Sequence, residues 1–150
     1  ICPTDAFEGP YKLDSRRCIA YLTIEHHGAV SEELRNKIGN RIFGCDDCLA
    51  ICPWNKYANI SNNMNYEKIL ADLPLEKAVQ FSDAEFRKFF SGTSIKRLGV
   101  KRFLRNVLYA IGNSKRREYI PIIKPLQNSQ TDYIVDAANW AIEMLRKNNG

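Results

Sequence analysis

All five cysteines of this 150-residue chain lie within its first 52 residues, at the spacing of metal ligands. Cys45, Cys48 and Cys52 follow the pattern C-x2-C-x3-C-P, in which thiolates hold [4Fe–4S] clusters. Close cysteine pairs let one turn of backbone present two thiolates to a cluster, and the following proline, Pro53, redirects the chain. The segment therefore predicts an iron–sulfur site.

A second Cys-Pro step, Cys2-Pro3, stands at the start of the chain and repeats the step at Cys52. In two-cluster ferredoxins the last cysteine of each run binds the other cluster. The first cysteine of the second run would fall at position 42, which is Ile. We therefore expect Cys18 to take the place of that cysteine as a ligand. One complete [4Fe–4S] cluster is then expected on Cys2, Cys18, Cys45 and Cys48. Cys52 is expected to bind a second cluster, whose other ligands lie outside this chain.

A zinc site made of four thiolates is the main alternative. It would account for Cys45 and Cys48, but not for two Cys-Pro steps or a fifth cysteine. No basic segment followed by an apolar stretch marks a signal peptide, and no run approaches the roughly 18 to 20 apolar residues of a membrane helix. We therefore expect a cytoplasmic monomer whose thiols stay reduced.

Turn-forming residues divide the region that must hold the cysteines, residues 1–57, into short elements. One helix is predicted over residues 16–24, and another over residues 31–37 with Ser31 as N-cap. The Asn-rich segment 58–65 is predicted to be a linker.

The remainder, residues 66–150, has helical patterning. Pro74 marks an early helix position, and Ser82 with Glu85 forms a capping-box sequence. Two apolar stripes at helical spacing run through residues 100–111 and 134–145. The predicted fold class is α+β, mostly α, with a dicluster-ferredoxin-like section followed by an all-α HEAT-like repeat domain. A plain helical bundle is the alternative.

The charge of the chain is unevenly distributed. The formal net charge is +5, and residues 87–124 contain eleven Lys and Arg against the single acidic residue Glu118. Such a patch attracts polyanions, including nucleic acid. A solvated basic face without a partner is the alternative.

Most of the cysteine section resembles the epoxyqueuosine reductases. The resemblance rests on residues 2–7 (CPTDAF), 10–25 (PYKLDSRRCIAYLTIE), 39–48 (GNRIFGCDDC) and 52–56 (CPWNK). The segments 104–114 (LRNVLYAIGNS) and 138–141 (ANWA) are similar to the HEAT-like C-terminal domain of the same family.

The resemblance implies reduction of the epoxide of epoxyqueuosine at the tRNA wobble position, with cobalamin, two [4Fe–4S] clusters and an electron donor. The family's cobalamin domain and catalytic acid precede the cluster section. We therefore expect a C-terminal part of a longer reductase, inactive alone and with no catalytic residue of its own. Cobalamin contacts are expected at Ala20, Asp46 and Asp47. The tRNA contacts are expected at Arg97, Lys101, Arg102, Arg105, Lys115 and Arg116.

Two other functions remain open at the level of sequence. One is a stand-alone ferredoxin-type electron-transfer protein with a helical appendage, which is not itself an enzyme. The other is a zinc-dependent nucleic-acid-binding module. The metal content separates the zinc module from the iron–sulfur proteins, and salt-dependent tRNA binding separates the reductase from a ferredoxin.

Overall fold

A computed structural model of the chain describes residues 1–59 and 73–147. Within these ranges an antiparallel hairpin is followed by helices. The strands are β1 (Phe7–Gly9) and β2 (Lys12–Leu13). The α-helices are α1 (Ile19–Ile24), α2 (Glu32–Ile38), α3 (Asp47–Ala50), α4 (Leu75–Ala78), α5 (Asp83–Phe89), α6 (Val100–Asn113), α7 (Ile120–Ile123) and α8 (Asp132–Lys147). Turns of 3-10 helix span Ser15–Arg17, Pro53–Tyr57, Ser94–Leu98, Arg117–Tyr119 and Lys124–Asn128. The predicted class, α+β and mostly α, is confirmed.

The helix predicted over residues 16–24 is wrong in one respect, because it is broken at Cys18. Asp14 accepts a hydrogen bond from the backbone N–H of Arg16 at 3.0 Å and so caps a separate 3-10 turn. Cys18 then adopts an extended conformation (φ −70°, ψ 121°) and starts α1. The break leaves Cys18 at a junction between two helical turns.

The remaining predicted helix starts are confirmed. The helix α2 follows Ser31, although the Ser31 hydroxyl makes no capping hydrogen bond. In α5 the capping box is complete, since Ser82 Oγ accepts the Glu85 N–H at 3.3 Å and Glu85 Oε2 accepts the Ser82 N–H at 2.9 Å. The apolar stripes of α6 and α8 are largely buried, and Trp140 is only 7% exposed.

One hydrophobic core joins the cysteine section to the helical section. Apolar side chains of α1 and α2 pack in the same cluster as those of α6 and α8, and Phe81, Phe86 and Phe103 extend it. The linker predicted over residues 58–65 starts in an exposed segment without regular structure, and residues 60–65 lie outside the described residues. The domain division and the HEAT-like repeat stay predictions.

Among the helices of the described residues, none combines the length and the apolar character needed to cross a membrane.

Candidate metal centre

The Cys2 loop holds its thiol in a hydrogen-bonded turn. Cys2 Sγ accepts the backbone N–H of Ala6 at 3.4 Å and lies 3.4 Å from the hydroxyl of Thr4, which is fully buried. Burial alone would raise the pKa of the Cys2 thiol, but the hydrogen bonds from Thr4 and Ala6 together outweigh it, so the pKa is lowered. The loop therefore favours the thiolate, which is the form that binds metal.

Cys18 is held between two helical turns and linked to the Cys2 loop. Its carbonyl oxygen accepts the N–H of Leu22 at 2.9 Å, so Cys18 occupies the N-cap position of α1. The preceding residue, Arg17, donates a 2.8 Å hydrogen bond to the carbonyl oxygen of Thr4. The backbone segments that carry Cys2 and Cys18 are thus directly connected.

Cys45 follows Gly44, whose φ of 79° is one that glycine adopts without strain. The Gly44 N–H donates a 3.0 Å hydrogen bond to the hydroxyl of Thr23 in α1. Burial raises the pKa of the Cys45 thiol, and the neighbouring Cys18 adds to this shift. Cys18 and Cys45 are both half-buried.

Cys48 lies in α3 and is exposed, whereas Cys52 is half-buried and stands two residues after the end of that helix. The Cys52 carbonyl accepts the N–H of Asn55 at 3.0 Å, and the Cys2 carbonyl accepts the N–H of Asp5 at 3.1 Å. Both Cys-Pro steps are therefore closed by a hydrogen bond from the residue three positions on, and the step at Cys52 continues as a 3-10 helix. This equivalence agrees with the predicted repetition of the motif.

All five thiols are free, so the structure leaves each of them able to ligate metal. Within residues 1–59 and 73–147, no three His, Cys, Asp or Glu side chains converge closely enough to hold a metal ion. A [4Fe–4S] cluster needs wider ligand spacing than a single ion does, because its four irons sit at different corners. The division into four cysteines for one cluster and Cys52 for another stays a prediction.

Polar side chains of α6 bind the end of α1 that lies opposite Cys18. The last four carbonyls of a helix lack partners within it. In α1 the Leu22 carbonyl accepts from Arg105 at 2.7 Å, and the Thr23 carbonyl from Asn106 at 2.7 Å. The Ile24 carbonyl accepts from Arg102 at 2.8 Å. The helical section therefore caps the helix that begins at Cys18.

The prediction that Arg105 contacts tRNA is wrong. Its side chain is fully buried, and its guanidinium also donates to the carbonyls of His26 (2.9 Å) and Gly28 (2.6 Å) and to Asn106. Burial lowers the pKa of Arg105, and the charge of the neighbouring Arg102 lowers it further. Its charge is directed into the core and not toward solvent.

The other predicted RNA contacts lie nearer the surface. Arg97 and Lys101 are exposed, and with Arg102, His27 and Tyr133 they line an open groove of about 510 Å³. Arg97 also pairs with Glu25 at 2.7 Å.

Arg102 is half-buried and donates to backbone carbonyls, including that of Leu98 at 2.8 Å. Lys115 is exposed, with a φ of 61°. Exposed Arg116 pairs with Glu118 at 2.7 Å and lies over the Tyr119 ring. The predicted contacts lie near both ends of α6, so the structure does not gather all of them in one place.

The residues predicted to approach cobalamin differ in accessibility. Asp46 is exposed and Ala20 is half-buried. Asp47 forms a 2.7 Å ion pair with Arg41, which binds the Ile38 carbonyl at 3.0 Å as well. Asp47 thus has a local structural partner, and Asp46 and Ala20 are the more accessible of the three.

Sequence reasoning missed the polar residues that hold the cysteine loops, namely Thr4, Thr23 and Asn106. A signal for Asn106 was present in the chain. Arg102, Asn106, Tyr109 and Asn113 recur at steps of four, three and four residues, which places them on one face of a helix. A polar stripe of this kind inside an otherwise apolar helix predicts buried hydrogen bonds.

The sequence of this chain is similar to those of known proteins. Residues 1–55 match the family of 4Fe-4S double cluster binding domains. The chain is 41% identical over 147 residues to an epoxyqueuosine reductase of Xanthomonas campestris pv. campestris, covering 95% of this chain and 41% of that protein. It is 40% identical over 152 residues to the epoxyqueuosine reductase of Salmonella typhimurium, covering 99% of this chain and 40% of that protein.

A solved structure resembles the fold over nearly the same extent. It is a crystal structure of epoxyqueuosine reductase with an epoxyqueuosine-modified tRNA-Tyr stem loop. The match has a TM-score of 0.86 at 33% identity and covers 96% of this chain and 39% of that one. The predicted resemblance is confirmed, and the chain spans about two fifths of the length of these relatives.

Proposed function

Because the chain is related to the epoxyqueuosine reductases over 95% or more of its own length, we propose that it is the cluster-binding and helical part of an oxidoreductase that reduces epoxyqueuosine to queuosine in tRNA. The observation that carries the proposal is the match of residues 1–55, which hold all five cysteines, to a double-cluster binding domain. A tRNA substrate also implies a cytoplasmic location.

The proposed role of the cysteine section is to bind clusters and adjust their potential. A bound [4Fe–4S] cluster stores and passes single electrons. Cys2, Cys18, Cys45 and Cys48 would hold one cluster, and Cys52 would contribute to a second. The hydrogen bond from the Ala6 N–H to Cys2 Sγ at 3.4 Å is of the kind that raises a cluster's potential, because it stabilises negative charge on sulfur.

The proposed tRNA surface is the groove beside the start of α6. Among its lining residues, the cations Arg97, Lys101 and Arg102 outnumber the carboxylate of Asp83, and Tyr133 adds an aromatic ring. Such a combination suits a phosphate backbone with an unstacked base beside it. Lys115 and Arg116 supply further exposed charge at the other end of α6.

Cobalamin and an electron donor are proposed for the intact protein. Cobalamin supplies the reactive cobalt centre when it is bound. The contribution of this chain would be steric and polar, through the accessible Asp46 and the half-buried Ala20, while Asp47 holds Arg41. Asp46 directly follows Cys45, and Ala20 stands two residues after Cys18, so both lie near predicted cluster ligands in the sequence.

The test uses the intact protein and tRNA that carries epoxyqueuosine, with nucleosides measured by mass spectrometry. We expect the wild-type protein to form queuosine, and Cys18→Ala to lose the activity because the cluster loses a ligand. Tyr11→Phe, at a fully exposed position of the hairpin, is the control and is expected to retain it. Turnover by Cys18→Ala at the wild-type rate would contradict the proposal.

A further inference from the structure

We propose that Asn106 is a positioning residue that sets the separation of the cluster ligands Cys18 and Cys45. The inference rests on the proposed function, because it assumes that these two thiolates hold one cluster. Asn106 lies in α6, more than sixty residues along the chain from either cysteine, and only 1% of it is exposed.

The side-chain amide of Asn106 bridges the two backbone segments that carry these cysteines. Its Nδ2 donates to the carbonyl of Thr23 at 2.7 Å and to the carbonyl of Ile42 at 2.8 Å. Thr23 lies in the helix that starts at Cys18, and Ile42 stands three residues before Cys45. Both N–H groups of one amide are therefore used to hold these segments at a fixed distance.

Thr23 makes a second connection between the same segments. Its hydroxyl donates to the Ile19 carbonyl at 2.7 Å and accepts the N–H of Gly44 at 3.0 Å. Ile19 follows Cys18 directly, and Gly44 directly precedes Cys45. The loop before Cys45 is thus bonded both to α1 and, through Asn106, to α6.

Arg105 fixes the orientation of the Asn106 amide. The oxygen Oδ1 accepts from Arg105 Nε at 3.1 Å and from Arg105 Nη2 at 2.9 Å. The nitrogen Nδ2 must then face Thr23 and Ile42. Arg105 itself is bound to the carbonyls of Leu22, His26 and Gly28, so the amide cannot rotate without breaking this set of bonds.

A bridge of this kind matters for a cluster because its iron atoms accept thiolates only from defined directions. Loss of a supporting residue that orients a metal ligand typically lowers metal affinity by about 10- to 100-fold. If the bridge is lost, the loop before Cys45 can move relative to α1. Cluster retention and the cluster spectrum should then change more than the overall stability of the fold does.

Asn113 provides a matched control on the same helix. Its Nδ2 also donates to two carbonyls, those of Arg35 at 2.9 Å and Gly39 at 3.0 Å. It lies seven residues after Asn106 and hence on the same face of α6. Arg35 lies in α2 and Gly39 directly follows that helix, and neither adjoins a cysteine, so this second bridge holds the end of α2.

The experiment compares Asn106→Asp with Asn113→Asp in the intact protein, purified without oxygen. Aspartate keeps the size of asparagine but cannot donate these hydrogen bonds. We measure iron per chain, the electron paramagnetic resonance spectrum of the reduced protein and the rate of iron release to a chelator. Release should be roughly tenfold faster for Asn106→Asp, with an altered spectrum, and within about twofold of wild type for Asn113→Asp.

The possible outcomes separate the two proposals. A wild-type protein without iron and sulfide overturns the proposed function itself. A wild-type cluster with equal effects of the two substitutions overturns the inference about Asn106 alone. If Asn106→Asp does not fold, Asn106→Ser tests the same bridge, because it removes the amide that donates to Thr23 and Ile42 without burying a carboxylate. Unchanged cluster retention in Asn106→Ser would then overturn the inference.

Discussion

Arg105 donates a 2.7 Å hydrogen bond from Nη2 to the carbonyl oxygen of Leu22, at the end of the helix that begins at Cys18. The guanidinium is fully buried and faces neutral oxygens throughout. A basic residue at the C-terminal end of a helix interacts favourably with the helix dipole. The positive charge therefore has a structural role, and it is not available to RNA.

Replacing Arg105 by leucine should destabilise the fold strongly. The change leaves the buried carbonyl of Leu22 and the part-buried carbonyls of His26 and Gly28 without these donors, which we expect to cost about 3 to 5 kcal/mol. Urea denaturation measures the loss. The control is Lys101→Leu in the same helix, which is exposed and should change stability by less than about 0.5 kcal/mol. Equal unfolding midpoints for the two variants would contradict the structural role.

Charge reversal in the groove should weaken tRNA binding. Lys101→Glu removes an exposed cation beside Arg97 and His27, and each lost phosphate contact reduces the slope of log affinity against log salt by about one. Filter binding at several salt concentrations measures this slope. Lys12→Glu, on the hairpin, makes the same change in net charge and should leave the slope near the wild-type value. Identical slopes for both variants would show that the groove does not bind tRNA.

Gly112 marks the closest approach between α6 and α8. A Cβ atom at this position would lie 2.5 Å from Trp140 Cζ3 and 3.0 Å from Ala141 Cα. In an open helix, Gly→Ala stabilises by about 1 kcal/mol. Gly112→Ala should instead destabilise by about 1 to 3 kcal/mol, because the helices must separate.

Thermal unfolding of Gly112→Ala measures directly whether the substitution stabilises or destabilises the fold. Gly9→Ala is the control, because nothing lies within 4 Å of the added methyl group and the residue does not have a positive φ. A stabilised Gly112→Ala protein would mean that α6 and α8 pack less closely than the structure shows.

The capping box of α5 should make stability depend on pH in the acid range. Hydrogen bonds from the Ser82 hydroxyl and backbone lower the pKa of the Glu85 carboxyl below its usual value. The carboxylate therefore stabilises the fold above the unfolded-state pKa of about 4.3, and this contribution is lost as the pH falls through the lower folded pKa.

Glu85→Gln keeps an acceptor but removes the charge. We expect it to be less stable than wild type near pH 7, with a difference that closes toward pH 3. Chemical denaturation at a series of pH values measures the difference. A difference of constant size across the range would rule out the titration of Glu85 as its cause.

Local patterns predicted much of this molecule. The Cys-Pro steps, the capping box at Ser82 and the stripes of α6 and α8 depend on residues a few positions apart, so the sequence alone indicates them. The roles of Arg105 and Asn106 depend instead on α1, about eighty residues earlier. In a strongly basic segment, a buried arginine has the same sequence signal as an exposed one.

The break at Cys18 shows a second limit. The sequence from Arg16 to Ile24 has helical spacing, but the Asp14 side chain caps a short 3-10 turn and Cys18 starts a new helix. The cap made by Asp14 therefore accompanies the change of backbone geometry at a predicted ligand. Likewise, Thr23 has no chemical signature in the sequence, although its hydroxyl connects α1 to Gly44.

The central claim is that the cysteines bind iron–sulfur clusters, with four of the five serving one cluster. The most direct measurement is the iron and sulfide content of the chain after anaerobic reconstitution, in wild type, Cys18→Ala and Cys52→Ala. We predict about four irons and four sulfides per chain, with a brown absorbance band. Cys18→Ala should lose them, and Cys52→Ala should keep them. One zinc per chain without sulfide, or equal loss in both variants, would contradict the account.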